Sequence, residues 1–134
     1  MAYQSFEDLE VWKKARELKK DITLLVKTFP AEEKFRLTDQ LIRSSRSVNA
    51  QIAEGHGRKT WPERLRFCVI ARGSLSETHN HLIDAFDEQL ISEEVIEKLR
   101  IKINEVERLL NGYISFLERM SKERPCQPIN LSTS

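Results

Sequence analysis

Two histidines and a glutamate near the middle of the chain are the side chains best suited to metal chemistry. Glu77 and His81 are four residues apart, one turn of a helix, and His79 lies between them. A carboxylate-bridged metal pair in a helical bundle also needs Glu-x-x-His on two helices, and the sequence contains none. We therefore expect no metal, no cofactor and no catalytic residue, with His81 beside a polar partner at the core edge. The alternative is a metal-dependent enzyme that uses Glu77 and His81.

The segment Gly55-His56-Gly57-Arg58-Lys59-Thr60 combines two glycines with two cations. Glycines let backbone amides approach an anion, so Arg58 and Lys59 are candidates for contacts with phosphate. The segment is not a P-loop, because the Gly-x-x-x-x-Gly-Lys-[Ser/Thr] spacing and the preceding strand are both missing. The alternative is an ordinary solvated turn.

Basic residues are concentrated in the middle of the chain. Between Ala31 and Arg72 there are nine Lys and Arg against five Asp and Glu, although the formal net charge of the whole chain is only +1. Arg36 and Arg43 are two turns apart on a predicted outer face, and Arg46 lies nearby. In a ring-like oligomer this stripe would be repeated, which multiplies its attraction for a polyanion. The alternative is a charge-rich outer face whose arginines pair with acids across a subunit contact.

The elements that must position these side chains are helices, because apolar residues recur at intervals of three and four and Gly and Pro fall at the joints. The spacing predicts four helices, from Phe6–Asp8 to about Thr28, from Ala31–Glu33 to Glu54, from Pro62 to Gln89 and from Ser92 to about Lys122. Ser5 and Asp8 form a capping-box pair, and Gly55 is predicted to cap the second helix. Short connections imply antiparallel neighbours, so the predicted fold is an all-α, antiparallel up-and-down four-helix bundle.

A single domain suits a chain of 134 residues, of which 40% are hydrophobic and 32% charged. This composition excludes the disordered and membrane classes, and no apolar run approaches the ~20 residues of a membrane span. The segment Met1–Phe6 lacks the features of a secretory signal, so we expect a cytoplasmic protein without membrane contact. Cys68 and Cys126 are expected to be free thiols. We predict a bundle over residues 1–122 and a flexible tail over residues 123–134.

The third predicted helix carries apolar residues on two sides. Leu65, Val69 and Ile83 lie roughly opposite its main apolar stripe, where an isolated bundle has no use for them. We therefore expect these three residues at a subunit interface. Gly73 lies inside the same helix, where glycine costs about 1 kcal/mol relative to alanine. Its presence predicts a close approach of another backbone.

Several segments resemble a known bacterial family. They are residues 6–15 (FEDLEVWKKA), 29–30 (FP), 37–44 (LTDQLIRS), 52–55 (IAEG) followed by Arg58, and 71–77 (ARGSLSE). In this order, and over roughly Phe6 to Leu117, they resemble the four-helix bundle family of 23S rRNA-intervening sequence proteins. The sequence departs from the family at Gln51, where asparagine is typical, and at Ser44 and Ser45, where alanines are common.

The resemblance implies an up-and-down bundle that assembles into a homopentamer and has no established catalytic activity. It also implies that the genes of the family lie within insertions in bacterial 23S ribosomal RNA genes or elsewhere in genomes. Accessory proteins of diversity-generating retroelements are similar, and they form positively charged pentamers that engage reverse transcriptase and nucleic acid. The resemblance assigns packing and interhelical hydrogen bonds to its characteristic positions, which here are Glu54, Gly55, Gly73, Ser74 and Glu77.

The leading hypothesis is a non-enzymatic oligomeric scaffold that binds RNA or DNA, alongside a partner protein such as a nucleic-acid enzyme. Its nucleic-acid-binding candidates are Arg36, Arg43, Arg46, Arg58 and Lys59. The alternative is a protein–protein interaction module without direct nucleic-acid contact.

Overall fold

The computed structural model describes residues 5–129, which form four long helices. These are α1 (Glu10–Val26), α2 (Asp39–His56), α3 (Trp61–Asp87) and α4 (Glu93–Glu123). Helices α1 and α3 each pack against both α2 and α4, so the four helices form a closed bundle in which sequence neighbours are also spatial neighbours. The predicted all-α four-helix bundle is confirmed. Residues 1–4 and 130–134, with the beginning of the predicted N-terminal segment and the end of the predicted tail, lie outside the described residues.

The core consists of apolar stripes at helical spacing. In α1 the buried residues are Val11, Ala15, Leu18, Ile22 and Val26. In α4 they are Ile96, Leu99, Ile103, Val106, Leu110, Ile114 and Leu117. Full burial of one Leu, Ile or Val side chain is worth about 1.5–3 kcal/mol relative to exposure, so these stripes hold the helices together. Within residues 5–129 no helix is long and apolar enough to span a membrane.

The chain enters α1 through the predicted capping box. Ser5 Oγ accepts a hydrogen bond from the Glu7 amide at 3.1 Å, and the Ser5 amide donates to the Asp8 carboxylate at 3.3 Å. Phe6–Asp8 forms a 3-10 turn, and regular helix follows from Glu10. The polar pair therefore fixes the entry to the bundle.

The connection between α1 and α2 differs from the prediction. Ala31–Glu33 forms a 3-10 turn and Lys34–Thr38 a wide π-helical turn, in which Arg36 has φ −114° and ψ −109°. Regular helix begins only at Asp39, so the predicted start of the second helix at Ala31–Glu33 was wrong. The wide turn directs Leu37 into the core and leaves Phe35 85% exposed, an arrangement that apolar spacing does not reveal.

Gly55 lies inside α2 and is buried. A Cβ atom at this position would lie 2.8 Å from Phe67 Cβ and 3.2 Å from the Arg64 carbonyl oxygen. Glycine thus allows α2 and α3 to approach closely. The prediction that Gly55 caps the helix was wrong, because α2 continues to His56 and Gly57 is the cap.

The connection between α3 and α4 is a short turn with a polar cap at each side. Gln89 adopts a φ angle of 61°, in the left-handed region, and the Leu90 amide donates a hydrogen bond to the Ala85 carbonyl at 2.9 Å. These two features form a Schellman motif, which ends α3. Ser92 Oγ accepts from the Val95 amide at 3.2 Å, which confirms the predicted cap of α4.

After α4 the chain returns to the connection between α2 and α3. The Ile129 amide donates to the Lys59 carbonyl at 2.6 Å, and Pro128 pairs with Thr60 as an isolated antiparallel bridge. The described part of the predicted tail is therefore attached to the bundle beside Lys59.

Candidate nucleic-acid interface

The outer side of α2 presents Arg43 and Arg46 to solvent. Leu41 and Val48 are buried on the opposite side of the helix, and the Arg43 side chain is 78% exposed. Arg36 was predicted to share this face with Arg43. Because Arg36 lies in the π-helical turn with non-helical dihedral angles, the expected two-turn helical register between these arginines was wrong.

Two of these arginines have a carboxylate partner about one turn away. Arg43 Nη1 lies 3.5 Å from Asp39 Oδ2, and Arg36 Nη1 lies 3.9 Å from Glu33 Oε2. Arg46 has no ion-pair partner in the described range 5–129. An exposed helical pair such as Arg43–Asp39 is worth about 0.3–0.5 kcal/mol, so a phosphate can replace the Asp39 carboxylate at small cost.

The loop after α2 holds Arg58 against α3. Arg58 Nη2 lies 3.4 Å from Glu54 Oε1, and the guanidinium carbon lies 4.6 Å from the centre of the Phe67 ring. The side chain of Lys59 is exposed. Arg43 is fifteen residues before Arg58, or roughly 20 Å along a helix. The predicted site residues are therefore spread along α2 and its two connections and do not converge on a pocket.

A buried arginine fixes the end of α2 that carries this loop. Arg64 is 6% exposed, donates from Nη2 to the His56 carbonyl at 2.9 Å, and lies 3.4 Å from the Tyr113 hydroxyl. The His56 carbonyl belongs to the last turn of α2, where unpaired carbonyls attract a cation. Apolar spacing does not reveal this role. The sequence signal for a buried cation here is Trp61, three residues before Arg64, because the face of a tryptophan ring attracts a cation.

The buried surroundings of Arg64 change the ionisation of three neighbours. Burial lowers the pKa of His56, and the Arg64 charge acts in the same direction. Burial raises the pKa of Tyr113 and raises the pKa of the Cys68 thiol to about 12, against the effect of the Arg64 charge. The Cys68 thiol is therefore protonated at neutral pH and is a poor nucleophile.

The histidine that metal chemistry would need is hydrogen-bonded to one carboxylate of its own helix and lies near a second. His81 Nε2 lies 3.1 Å from Glu77 Oε2, and Nδ1 lies 4.0 Å from Asp84 Oδ2. His81 is 8% exposed, whereas both carboxylate side chains are more than half exposed. Among residues 5–129 no three or more His, Cys, Asp and Glu side chains are grouped so as to hold a metal ion.

A comparison of the whole sequence with known protein families gives a match. Residues 7–112 match the family of 23S rRNA-intervening sequence proteins. The chain belongs to this family. The resemblance deduced from the sequence segments is thereby confirmed, while no curated protein matches the chain.

A solved relative shares the bundle. The crystal structure at 1.70 Å resolution of a protein with unknown function, from the S23 ribosomal protein family of Bacteroides thetaiotaomicron VPI-5482, is 26% identical to this chain. The TM-score is 0.73, and the alignment covers 78% of this chain and 95% of that chain. The similarity thus extends over nearly the whole of the solved protein.

Gly73 and Ser74, to which the resemblance assigned packing and interhelical hydrogen bonds, have different surroundings. Ser74 Oγ lies 2.8 Å from Ser47 Oγ, a hydrogen bond between α2 and α3, and Thr78 Oγ1 donates to Ser44 Oγ at 2.9 Å. Gly73, by contrast, is exposed, and apart from its chain neighbours and the adjacent backbone of α3 no atom would lie within 4 Å of an added Cβ. The predicted close approach at Gly73 is therefore absent within the described protomer.

The second apolar stripe of α3 in this family member lies at the edge of the core. Leu65 and Ile83 are half-buried against core residues, whereas Val69 is 42% exposed. Ile70 is also 42% exposed, because the buried side of α3 runs through Cys68, two residues earlier. Val69 and Ile70 therefore form an apolar surface beside Gly73.

Proposed function

We propose that this protein is a non-enzymatic, homo-oligomeric helical scaffold that binds RNA or DNA through the arginines of α2 and the following loop. The observation that carries the proposal is the exposure of Arg43 and Arg46 on a regular helix, with Arg46 unmatched by a carboxylate in the described part of the chain. Arginine suits this role because its planar guanidinium donates two parallel hydrogen bonds to phosphate.

Assembly strengthens the attraction of a modest basic surface. One protomer presents few unmatched cations on α2, but an oligomer repeats them at fixed spacing, and several weak contacts then act together. The family resemblance suggests a homopentamer. Val69 and Ile70 provide an exposed apolar surface on α3 that suits a subunit contact, and Gly73 beside them leaves room for a neighbouring backbone.

Fluorescence anisotropy tests the nucleic-acid part of the proposal. Labelled structured RNA and duplex DNA are titrated with the protein at several salt concentrations, and we expect micromolar or tighter binding that weakens steeply with salt. The double variant Arg43→Glu, Arg58→Glu should bind more weakly. The variant Asp39→Asn is the matched opposite, because it removes the carboxylate that competes for Arg43 and should tighten binding. Absence of binding at low salt would contradict the proposal.

Light scattering after size-exclusion chromatography tests the assembly. We expect a mass several times that of the 15.7 kDa protomer, and a smaller species for Val69→Asp. Thr23→Asp on α1 is a control for the added charge, since it lies on a different helix. An unchanged mass for Val69→Asp would exclude this surface as the subunit contact.

The second candidate function is a protein-interaction module, and an apolar groove between α1 and α4 favours it. The groove is lined by Leu25, Val95, Leu99 and Ile101, and Ile101 is 69% exposed. A partner that is captured after nuclease treatment by the wild-type protein, and is lost with Ile101→Asp, would support this function. Capture that disappears with nuclease would instead favour the scaffold.

A further inference from the structure

The densest basic run of the chain, Lys13–Lys20, lies in α1 and has five Lys and Arg against one acid within eight residues. Between Lys13 and Lys27 there are six Lys and Arg against two Asp and Glu, an excess of four within fifteen residues. The region from Ala31 to Arg72 has the same excess spread over forty-two residues. Per residue, the excess of Lys13–Lys27 is nearly three times that of Ala31–Arg72 taken as a whole, although Arg58–Arg72 by itself has the same excess in fifteen residues.

Both acids of this segment are engaged toward α4. Glu17 lies 3.4 Å from Lys14 Nζ, and the same ammonium lies 3.7 Å from Glu105 of α4. Asp21 pairs with Lys102 of α4. Because these carboxylates lie along the α4 edge, they leave the opposite edge and the outward side of α1 without negative charge.

The remaining cations of α1 form one continuous surface, which we call the α1 basic face. Its residues are Lys13, Arg16, Lys19, Lys20 and Lys27. None of them has an ion-pair partner in the described part of the chain, and all but the half-buried Lys19 are exposed. Lys13, Lys20 and Lys27 recur every seven residues, so they form a column that spans roughly 21 Å at 1.5 Å per residue.

The α1 basic face continues onto α2. The Asn49 side chain donates to the Trp12 carbonyl at 3.0 Å, which fixes the register of the two antiparallel helices. Arg46 is three residues before Asn49 and hence on the same side of α2, about level with Arg16 of α1. The one α2 arginine without a carboxylate partner thus lies beside the unpaired cations of α1.

We propose that the α1 basic face, together with Arg46, is the main surface that contacts the phosphodiester backbone of RNA or DNA. This inference rests on the proposed nucleic-acid function but places the principal contacts on a different helix. A row of unpaired cations along a straight helix matches a linear polyanion, whose phosphates repeat at short intervals. A membrane-surface helix would need its apolar side free for insertion, and the apolar side of α1 is buried in the core.

The test compares two triple variants with equal loss of charge. Lys13→Gln, Lys20→Gln, Lys27→Gln removes the column from the α1 basic face, and a control removes three cations of α4 by Lys98→Gln, Arg108→Gln and Lys122→Gln. Binding of labelled RNA hairpin and DNA duplex is measured by anisotropy against salt concentration. Each lost phosphate contact lowers the slope of log K against log salt by about 0.9 for duplex DNA, so the α1 variant should lose about 2.7. The α4 variant should keep the wild-type slope.

Each other outcome overturns the inference in a recognisable way. Wild-type affinity of the α1 variant, with weaker binding of Arg43→Glu, Arg58→Glu, would overturn it and leave the proposed function in place. Equal losses from both triple variants would mean that net charge alone matters. Failure of the wild-type protein to bind either nucleic acid at low salt would overturn both proposals. Binding to anionic vesicles in place of nucleic acid would also overturn both. Circular dichroism and chromatographic mass verify that each variant keeps its fold and assembly.

Discussion

Replacement of Gly55 by alanine should destabilise the protein, although alanine is the better helix former. Gly55 lies within α2 where that helix crosses α3, and an added Cβ would lie 2.8 Å from Phe67 Cβ and 3.2 Å from the Arg64 carbonyl. Contacts between carbon atoms are optimal at about 3.5–4.0 Å, so one of the two helices must move. Neither contact atom is at the end of a flexible side chain, and rotation of a side chain cannot relieve the overlap.

The expected change in the free energy of unfolding for Gly55→Ala is the sum of two opposing contributions. Removing glycine from a helix interior gains about 1 kcal/mol. Forcing an extra carbon into a closely packed contact costs about 1–3 kcal/mol, and the immobile contact atoms place Gly55 toward the upper value. We expect Gly55→Ala to lower the free energy of unfolding by about 1–2 kcal/mol. This corresponds to a decrease in Tm of about 3–8 °C for a chain of this size.

Gly112→Ala is the matched control, because Gly112 lies inside α4 and an added Cβ would meet no atom within 4 Å. We expect this variant to gain about 1 kcal/mol from helix propensity alone. Thermal and urea unfolding are measured by circular dichroism at one protomer concentration, since assembly makes Tm concentration-dependent. An increase in Tm for Gly55→Ala equal to that of Gly112→Ala would refute the close helix contact.

Three further predictions concern single residues. Gln89→Gly should raise the free energy of unfolding by about 1 kcal/mol in urea unfolding, because Gln89 adopts φ 61°, which favours glycine; a loss of stability would contradict this. A thiol reagent at pH 8 should label exposed Cys126 quickly and Cys68 only after unfolding. The pKa of Cys68 is raised from 9.0 to about 12, which lowers its thiolate fraction about a thousandfold. Equal labelling rates for the two thiols would refute the burial of Cys68. His56 has a lowered pKa in the folded chain, so the unfolded chain binds the proton first, and stability should be lost as pH falls below about 6.5. His56→Gln should reduce that pH dependence, and an unchanged slope of stability against pH would exclude His56 as its source.

Much of the fold follows from local patterns in the sequence. The apolar stripe of α1 and the capping positions Ser5 and Ser92 are where the spacing predicts them, because burial and terminal hydrogen bonds are decided by residues one turn apart. The predicted limits of α3 and α4 are within two residues of the observed ones. These features need no knowledge of tertiary contacts.

Other features depend on contacts between helices and are not visible in local spacing. Gly55 and Gly57 are both candidates for the end of α2, and local spacing does not show that Gly55 packs against Phe67 of α3 while Gly57 is the cap. The π-helical turn around Arg36 is likewise set by the need to bury Leu37 while the chain reverses. Arg64 is buried because the end of α2 presents a carbonyl to it, a partner supplied by another helix.

Ion pairing shows better than the number of basic residues in a segment which cations are available to contact phosphates. The middle of the sequence has the larger count, yet Arg36, Arg43 and Arg58 each lie within 4 Å of a carboxylate, so their charges are partly neutralised. Between Lys13 and Lys27 the two acids, Glu17 and Asp21, are engaged along the α4 edge, and the cations on the outer side have no such partner in the described chain. Counterion release depends on how many phosphates the cations of the protein neutralise. An unpaired cation neutralises a phosphate more readily than a cation that already has a carboxylate partner. We therefore propose the first helix, in place of the middle of the sequence, as the region with the strongest attraction for a nucleic acid.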